Sequence, residues 1–437
     1  MLVMAFFVSQ QPSYQLILCV VVPVVFIASF VNPGLGLYIL VFSMLLSPEF
    51  EAGQTYGSSL GRGVTLRIED FLLIVIGISW FFRKALDKEG GLFLKTPLNK
   101  PIFYYILACL VATGFGILGG RINPKTGMFF VLKYIEYFIV FYMVISYVQD
   151  EKQAKRFVFC LFLTCLIVSI LGISQIPGGG RVSAPFEGEV GEPNTFGGYL
   201  VFILAIAAGL IYWIKDIRLK ISLIVLIAVI IPPMLFTGSR ASYLAFVPMI
   251  FVLAMMMKNR AVIIGVMISL IIISPLFLPA AVKDRVMYTF NQPEEPGQFQ
   301  IGDLRIDTST SARLRNWGNA IINWPNHPIL GYGVTGYGFV DAQFPRVLAE
   351  TGMVGFVIFI ALLVSIFKMA VTNYRQVTTP FAKGICMGYI AGFIGLIFHA
   401  LGANTFIIVR IMEPFWFFTG IVFVLPMVEM RKEEAGE

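Results

Sequence analysis

Apolar runs long enough to cross a lipid bilayer follow one another along almost the whole chain, and they leave the backbone very little choice. A hydrocarbon core is about 30 Å thick and takes roughly 20 helical residues to cross. It offers no water to backbone N–H and C=O groups, so helices that bond internally are the structure such runs adopt. The runs cover 14–30, 34–46, 68–82, 101–117, 128–148, 157–176, 195–214, 221–236, 241–257, 261–278, 352–368, 381–399 and 405–424. The second is short and reads as a bent or half span. With 58% hydrophobic and 13% charged residues among 437, a water-soluble globular fold is excluded. The expected architecture is an all-α integral membrane protein of about 12–13 transmembrane helices. It forms a single polytopic domain over 1–437, with one long outer loop at about 280–346.

The basic residues order these spans. Lysines gather in one set of connections: Lys84, Lys88, Lys95, Lys100, Lys152, Lys155, Lys215, Lys220 and Lys258. Arginines gather in the alternate set: Arg62, Arg67, Arg121, Arg181, Arg240, Arg285, Arg305, Arg313, Arg315 and Arg346. By the positive-inside rule the lysine side is cytoplasmic, and the C-terminus lies there too. Nothing basic precedes Arg62, so 13 spans with an external N-terminus fit, as do 12 with an internal one. No removed signal peptide is expected, because no charged n-region with a cleavage site opens the chain. The five cysteines all fall within spans without ligand spacing, which reads as core packing rather than disulfide or metal chemistry. No P-loop, dinucleotide-binding glycine motif, HExxH or external DxD is present, so nucleotide-driven and metal-assisted chemistry are disfavoured and no cofactor is expected.

Arginine on the outer face has a chemical meaning that lysine lacks: its planar fork grips phosphate or carboxylate through two bonds. Arg181 follows Gly178–Gly180 in the first outer segment, 177–194. Arg240 lies in FTGSRASYLAF, where one helix ends, the chain turns on Gly238 and Ser239, and another begins. Such a turn exposes backbone N–H groups beside a guanidinium, a fitting anion site. In the long loop, 308–324 reads as an amphipathic helix with Leu314, Trp317, Ile321 and Trp324 on one face and Arg313 and Arg315 in its first half. That helix fits either a roof over the bundle or a seat on the outer headgroup layer. A glycine- and tyrosine-rich turn with His327, Tyr332 and Tyr337 follows, offering aromatic surface for sugar rings. Asp341 stands after it, placed either as a general base toward a hydroxyl or as a helix cap. Glu350 at the entrance to the next span fits a partner for an arginine. Lys133 and Glu136 sit one helical turn apart and should pair. Arg410, an intramembrane charge near the outer end of the last span, is a candidate support for an outer cavity. His399 ends a span near that face, and Arg62 and Arg67 fit edge anchors.

The motifs GEPNTFGGYL (191–200), TGSRASYLAF (237–246), HPILGYGVTGY (327–337) and LAETGMVGF (348–356), in this order, resemble the O-antigen ligase and O-antigen polymerase superfamily of bacterial envelope proteins. The resemblance implies an inverting, metal-independent glycosyltransferase with a GT-C-like membrane fold. Such an enzyme takes a glycan from undecaprenyl diphosphate at the periplasmic face of the inner membrane and passes it to a hydroxyl acceptor. It implies that Arg181 and Arg240 are diphosphate-binding and that the outer loop roofs the site. Ligases of this superfamily carry a histidine about nine residues before the glutamate of the ETG-like motif, and here that position is Asp341. The aspartate resembles the polymerase-type members.

The expected function is therefore polymerisation of lipid-linked oligosaccharide repeat units, for polysaccharide biosynthesis in the cell envelope. Asp341, Arg240 and Arg181 would act at the reacting centre, with Arg313, Arg315, Glu350, Tyr332, Tyr337, His327 and Arg410 binding substrate. Ligase-type transfer to lipid A core or another acceptor is the alternative. A flippase for the same lipid is the third reading, disfavoured because few charges lie deep in the spans. The expected partners are the lipid-linked donor, a glycan or lipid acceptor, membrane lipids and a chain-length regulator, with no nucleic acid.

Overall fold

A computed structural model of the chain describes residues 13–51, 65–86, 94–187, 191–258, 295–301 and 304–434, together with a few single positions between 260 and 293. The described helices are α1 (Ser13–Val31), α2 (Pro33–Leu46), α3 (Ile68–Leu86), α4 (Asn99–Leu118), α5 (Pro124–Tyr147), α6 (Glu151–Gln175), α7 (Pro193–Trp213), α8 (Ile217–Phe236), α9 (Arg240–Met256), α10 (Thr308–Asn323), α11 (Gln343–Gln376), α12 (Pro380–His399) and α13 (Val409–Glu434). Two short hairpins, β1 (Glu49–Glu51) with β2 (Thr65–Arg67) and β3 (Phe299–Ile301) with β4 (Leu304–Ile306), are antiparallel. All the helices except α10 fall on expected spans, and eight are long and apolar enough to cross a membrane. The protein is an all-α, multi-pass integral membrane protein. The span expected at 261–278 lies outside the described residues.

Local sequence explains many of the helix starts. Asn32, Asn123 and Thr379 each accept a hydrogen bond from a backbone N–H in the first turn, and each is followed by proline. Proline at N1 gives up a donor that would have had no intrahelical partner.

The bundle closes on α7, α12 and α13, whose side chains are buried nearly all round. Gly384, Gly388 and Gly392, spaced by four, form a groove in α12 into which α7 fits. A Cβ on Gly388 would stand 2.5 Å from the Ala205 carbonyl oxygen, and one on Gly209 would stand 2.5 Å from that of Gly384. Without water to drive helices together, close backbone packing of this small-xxx-small kind is a principal source of association. Around this pair, Phe202, Tyr389, Phe393, Phe406, Phe415 and Trp416 interlock edge to face.

Contacts between helix ends establish the alternation directly. At one end Arg83 donates to the Phe30 and Val31 carbonyls, Lys155 lies over Phe381, the Lys258 N–H donates to the Tyr212 hydroxyl, and Thr378 and Thr379 bind Glu429. At the other end Ser47 meets Glu69, Arg181 meets the 237–238 carbonyls and Asn404 meets Val340. The first end carries most of the loop lysines, with Arg83 among them, and the second most of the loop arginines. Lys133 and Glu136 lie 3.8 Å apart as expected, but Lys133 also binds Asp70 of α3. Arg67 is buried against Glu69 at 3.1 Å rather than anchoring an edge, and Arg62 lies outside the described residues.

Gly388→Ala should lower the thermal unfolding midpoint of the detergent-solubilised protein, a cost of about 1–3 kcal/mol for overpacking against a rigid backbone. Gly114→Ala, where nothing lies within 4 Å of the added carbon, should leave the midpoint unchanged or slightly higher.

Candidate active site

The four outer-face motifs are joined in two pairs, each through glycine. Gly197 in the first turn of α7 packs directly on Ser242 and Thr237, so GEPNTFGGYL rests on the TGSRASYLAF turn. Gly331 lies against the backbone of Gly352, where an added Cβ would be 2.5 Å from the Gly352 nitrogen. Gly352 has φ 64° and ψ −168°, a conformation open only to glycine, and it breaks α11 into an outer piece and a span. Across this joint the Tyr332 and Gly333 N–H groups donate to the Ala349 and Glu350 carbonyls, and the Met353 and Val354 N–H groups donate to Pro328 and Ile329.

Arg181 and Arg240 meet at the first pair. The Arg181 Nε donates to the Thr237 carbonyl at 2.8 Å and its Nη2 to that of Gly238 at 3.4 Å. Arg181 therefore braces the turn that presents Arg240. The Ser239 side chain caps α9 by accepting from the Ser242 N–H. Arg240 Nη1 donates to Asp307 Oδ2 at 2.6 Å and to Thr310 Oγ1 at 2.9 Å. Its Nε and Nη2 are buried and have no hydrogen-bond partner among the described residues. Those two atoms form the side-on edge that takes a phosphate or carboxylate bidentately.

The sequence offers Asp307 as one acidic candidate of the outer face without giving it a role, because the helix start is read from the hydroxyls that follow it. It is the N-cap of α10, accepting from the Ser309 and Thr310 N–H groups, and it holds Arg240 as well. Burial works to raise its carboxyl, but the Arg240 and Thr310 bonds outweigh that and hold it below the usual carboxylate range.

From there α10 runs on to the second motif pair. Arg313 Nη2 donates to Asp341 Oδ2 at 3.2 Å, and Arg313 Nε is buried without a hydrogen-bond partner among the described residues. Asp341 is partly exposed and does not cap α11; Ala342 holds the cap position and no side chain caps it. The structure thus removes the capping role and leaves the carboxylate beside Arg313.

The other expected residues are placed differently. Glu350 is buried, accepting from Arg346 Nε at 3.0 Å and from the Thr335 N–H at 3.1 Å, which ties the glycine-tyrosine turn to α11. His327 meets Tyr332 edge to face, Tyr332 lies tilted against Tyr337, and both tyrosine hydroxyls bond to Asn323 at the end of α10. Arg315 faces Gly297, away from Arg240 and Asp341. His399 is fully buried, its Nδ1 2.7 Å from Thr405 Oγ1 and its ring against Gly198.

Arg410 is also fully buried. It donates to the carbonyls of Pro185, Ser47 and Phe186 at 3.0, 3.0 and 3.3 Å and meets Glu187 at 3.4 Å. This clamps the first outer segment to the end of α2. Burial pushes the Glu187 carboxyl up to about 8, against the opposing pull of Arg410.

A family model described as O-Antigen ligase matches residues 233–360, which include Arg240, Asp307, Arg313, Asp341 and Glu350. This match is a similarity to the O-antigen ligase family over that segment. It spans less than a third of the chain and leaves Arg181, His399 and Arg410 outside it. No curated protein matches the chain.

A carboxyl whose folded pKa exceeds its unfolded value of 4.5 holds its proton longer in the folded state, so stability falls as pH rises from there through about 8. The unfolding midpoint of the wild type should therefore decline between neutral and mildly alkaline pH. Glu187→Gln should flatten that decline, measured by thermal unfolding across the pH series.

Proposed function

We propose that this chain polymerises undecaprenyl-diphosphate-linked oligosaccharide units at the outer face of the bacterial inner membrane. One observation carries this reading: Arg240 is fixed through Nη1 by Asp307 and Thr310 while its buried Nε and Nη2 edge has no hydrogen-bond partner among the described residues. A guanidinium held in that way suits a diphosphate, whose charge grows as the glycosidic bond breaks. Arg313 Nε is a further buried donor nearby on α10.

In the proposed reaction the acceptor hydroxyl oxygen bonds to the donor's anomeric carbon. The bond from that carbon to the diphosphate oxygen breaks, and its electron pair leaves with the diphosphate. Asp341 takes the hydroxyl proton, oriented by Arg313 at 3.2 Å. Displacement in one step inverts the anomeric centre. Arg181 acts through the turn it braces. The packed rings of His327, Tyr332 and Tyr337 shape the wall between α10 and α11. The aspartate, at the position where similar ligases carry histidine, supports polymerisation. The matching family's description supports ligase-type transfer as the second reading.

Purified protein in proteoliposomes, given only a lipid-linked repeat unit, should produce a ladder of longer products. Turnover that appears only after a different acceptor is added would instead identify a ligase. Arg240→Lys should lower the rate by about 10²-fold or more despite keeping the charge, as loss of a preorganised donor does. Asp341→Asn should cost about 10²–10⁴-fold, the range of a general base. Wild-type rates in both variants would remove the proposed mechanism.

A further inference from the structure

α10 presents more to its surroundings than the edge that reaches Arg240 and Asp341. Thr310, Arg313 and the fully buried Ala320 follow one edge of the helix, turned toward α9 and α11. Leu314, Ile321 and Ile322, spaced by seven and eight, follow a neighbouring edge, and all three are exposed, Ile322 to 73%. Exposed side chains of this size, aligned along one edge, form an apolar surface that a soluble loop would not keep in water.

Past that edge the chain leads to a second exposed apolar surface. Trp324, just past the end of α10, donates its indole N–H to the Pro328 carbonyl at 2.9 Å. The next residue, Ile329, is 65% exposed, and its carbonyl accepts from the Val354 N–H. Met353, Val354 and Val357 open the spanning part of α11, and their exposed side chains continue along it to Val364 and Phe367. This strip is the lipid-facing wall of a transmembrane helix. Along the chain, the exposed apolar edge of α10 thus leads through Ile329 to the exposed apolar strip of a membrane-spanning helix. Arg315 and Asn319 are exposed beside it, on the polar side of the helix.

We propose that α10 is a roof seated in the bilayer: its Leu314–Ile321–Ile322 edge lies in the headgroup–acyl boundary of the outer leaflet while the neighbouring edge holds Arg240 and Asp341. The partner is the lipid surface itself. A helix with one apolar edge, flanked by cationic and polar residues, lies in the plane of that boundary. The two roles of α10 that the sequence left open, roof and headgroup seat, then belong to two edges of one helix. The seat also puts the gripping arginines beside the layer from which a lipid-linked substrate would arrive.

The test uses the full-length protein in proteoliposomes with a nitroxide attached at one position at a time, through Ile322→Cys, Ile329→Cys or Asn319→Cys, and the unsubstituted protein as background. Power-saturation spectroscopy reads collisions with oxygen, which partitions into lipid, and with a water-soluble nickel chelate. Labels at 322 and 329 should meet oxygen at least about threefold more often than the chelate, as an interfacial helix requires, and the label at 319 should show the reverse. Chelate access at 322 equal to that at 319 would place the edge in water and overturn the seat. Shielding of 322 from both reagents would mean that protein covers the edge and would overturn it equally. A label introduced through Leu314→Cys, on the same edge of α10, decides if the 322 variant does not fold. No arm reads glycosyl transfer, so the outcome is independent of the proposed reaction.

Discussion

Backbone meeting backbone between α7 and α12 is the contact on which the outer face depends. In a bilayer, apolar side chains gain nothing by leaving lipid for one another, so helices associate where they approach closely enough for dense dispersion contact. Gly209, Gly384 and Gly388 allow that approach. Once the pair is locked, the outer ends of both helices are fixed. Gly197 then carries α7 onto the turn that presents Arg240, and Gly198 carries it onto His399. Glycine recurs at the second joint, between Gly331 and Gly352, where side chains of any size would force the chain apart.

Charge then connects what glycine has brought near. Asp307 caps α10 and holds Arg240, and six residues on Arg313 holds Asp341, so one helix ties the two motif pairs together. The outer arginines divide by what their forks do. Arg410 uses its guanidinium on carbonyls and Glu187, and Arg346 and Arg67 are paired with glutamates. Arg181 serves the turn, whereas Arg240 keeps an edge in reserve. An arginine-rich face is therefore mostly architecture, with a small part of it shaped for an anion.

Much of this was readable in the chain. The spans, their alternation and the short helix α10 follow from apolar run length and spacing, because lipid imposes internal hydrogen bonding on any segment that crosses it. The importance of the Arg240 turn was readable too, since Gly238, Ser239 and Arg240 combine a tight turn with a fork. Asp307 was readable as one of several outer acidic residues but not in its role, because an aspartate before Thr-Ser-Thr-Ser shows no partner until the arginine 67 positions away is placed. Asp341 was readable as a candidate but not in its role, because a cap and a base share the same sequence position. The spacing of Gly384, Gly388 and Gly392 passed as ordinary composition in an apolar helix.

The sequence by itself determined the class of fold, the alternation of the later spans and the family similarity over 233–360, since these rest on local properties: run length, charge in loops and motif order. The tertiary structure alone decided which arginine keeps a buried donor edge, that Asp341 faces Arg313 rather than capping a helix, and that Arg410 and Glu350 are structural ties. Those assignments turn on contacts between residues far apart in the chain. A side chain's hydrogen-bonding capacity is finite, so what remains for a substrate is known only when every internal partner has been placed.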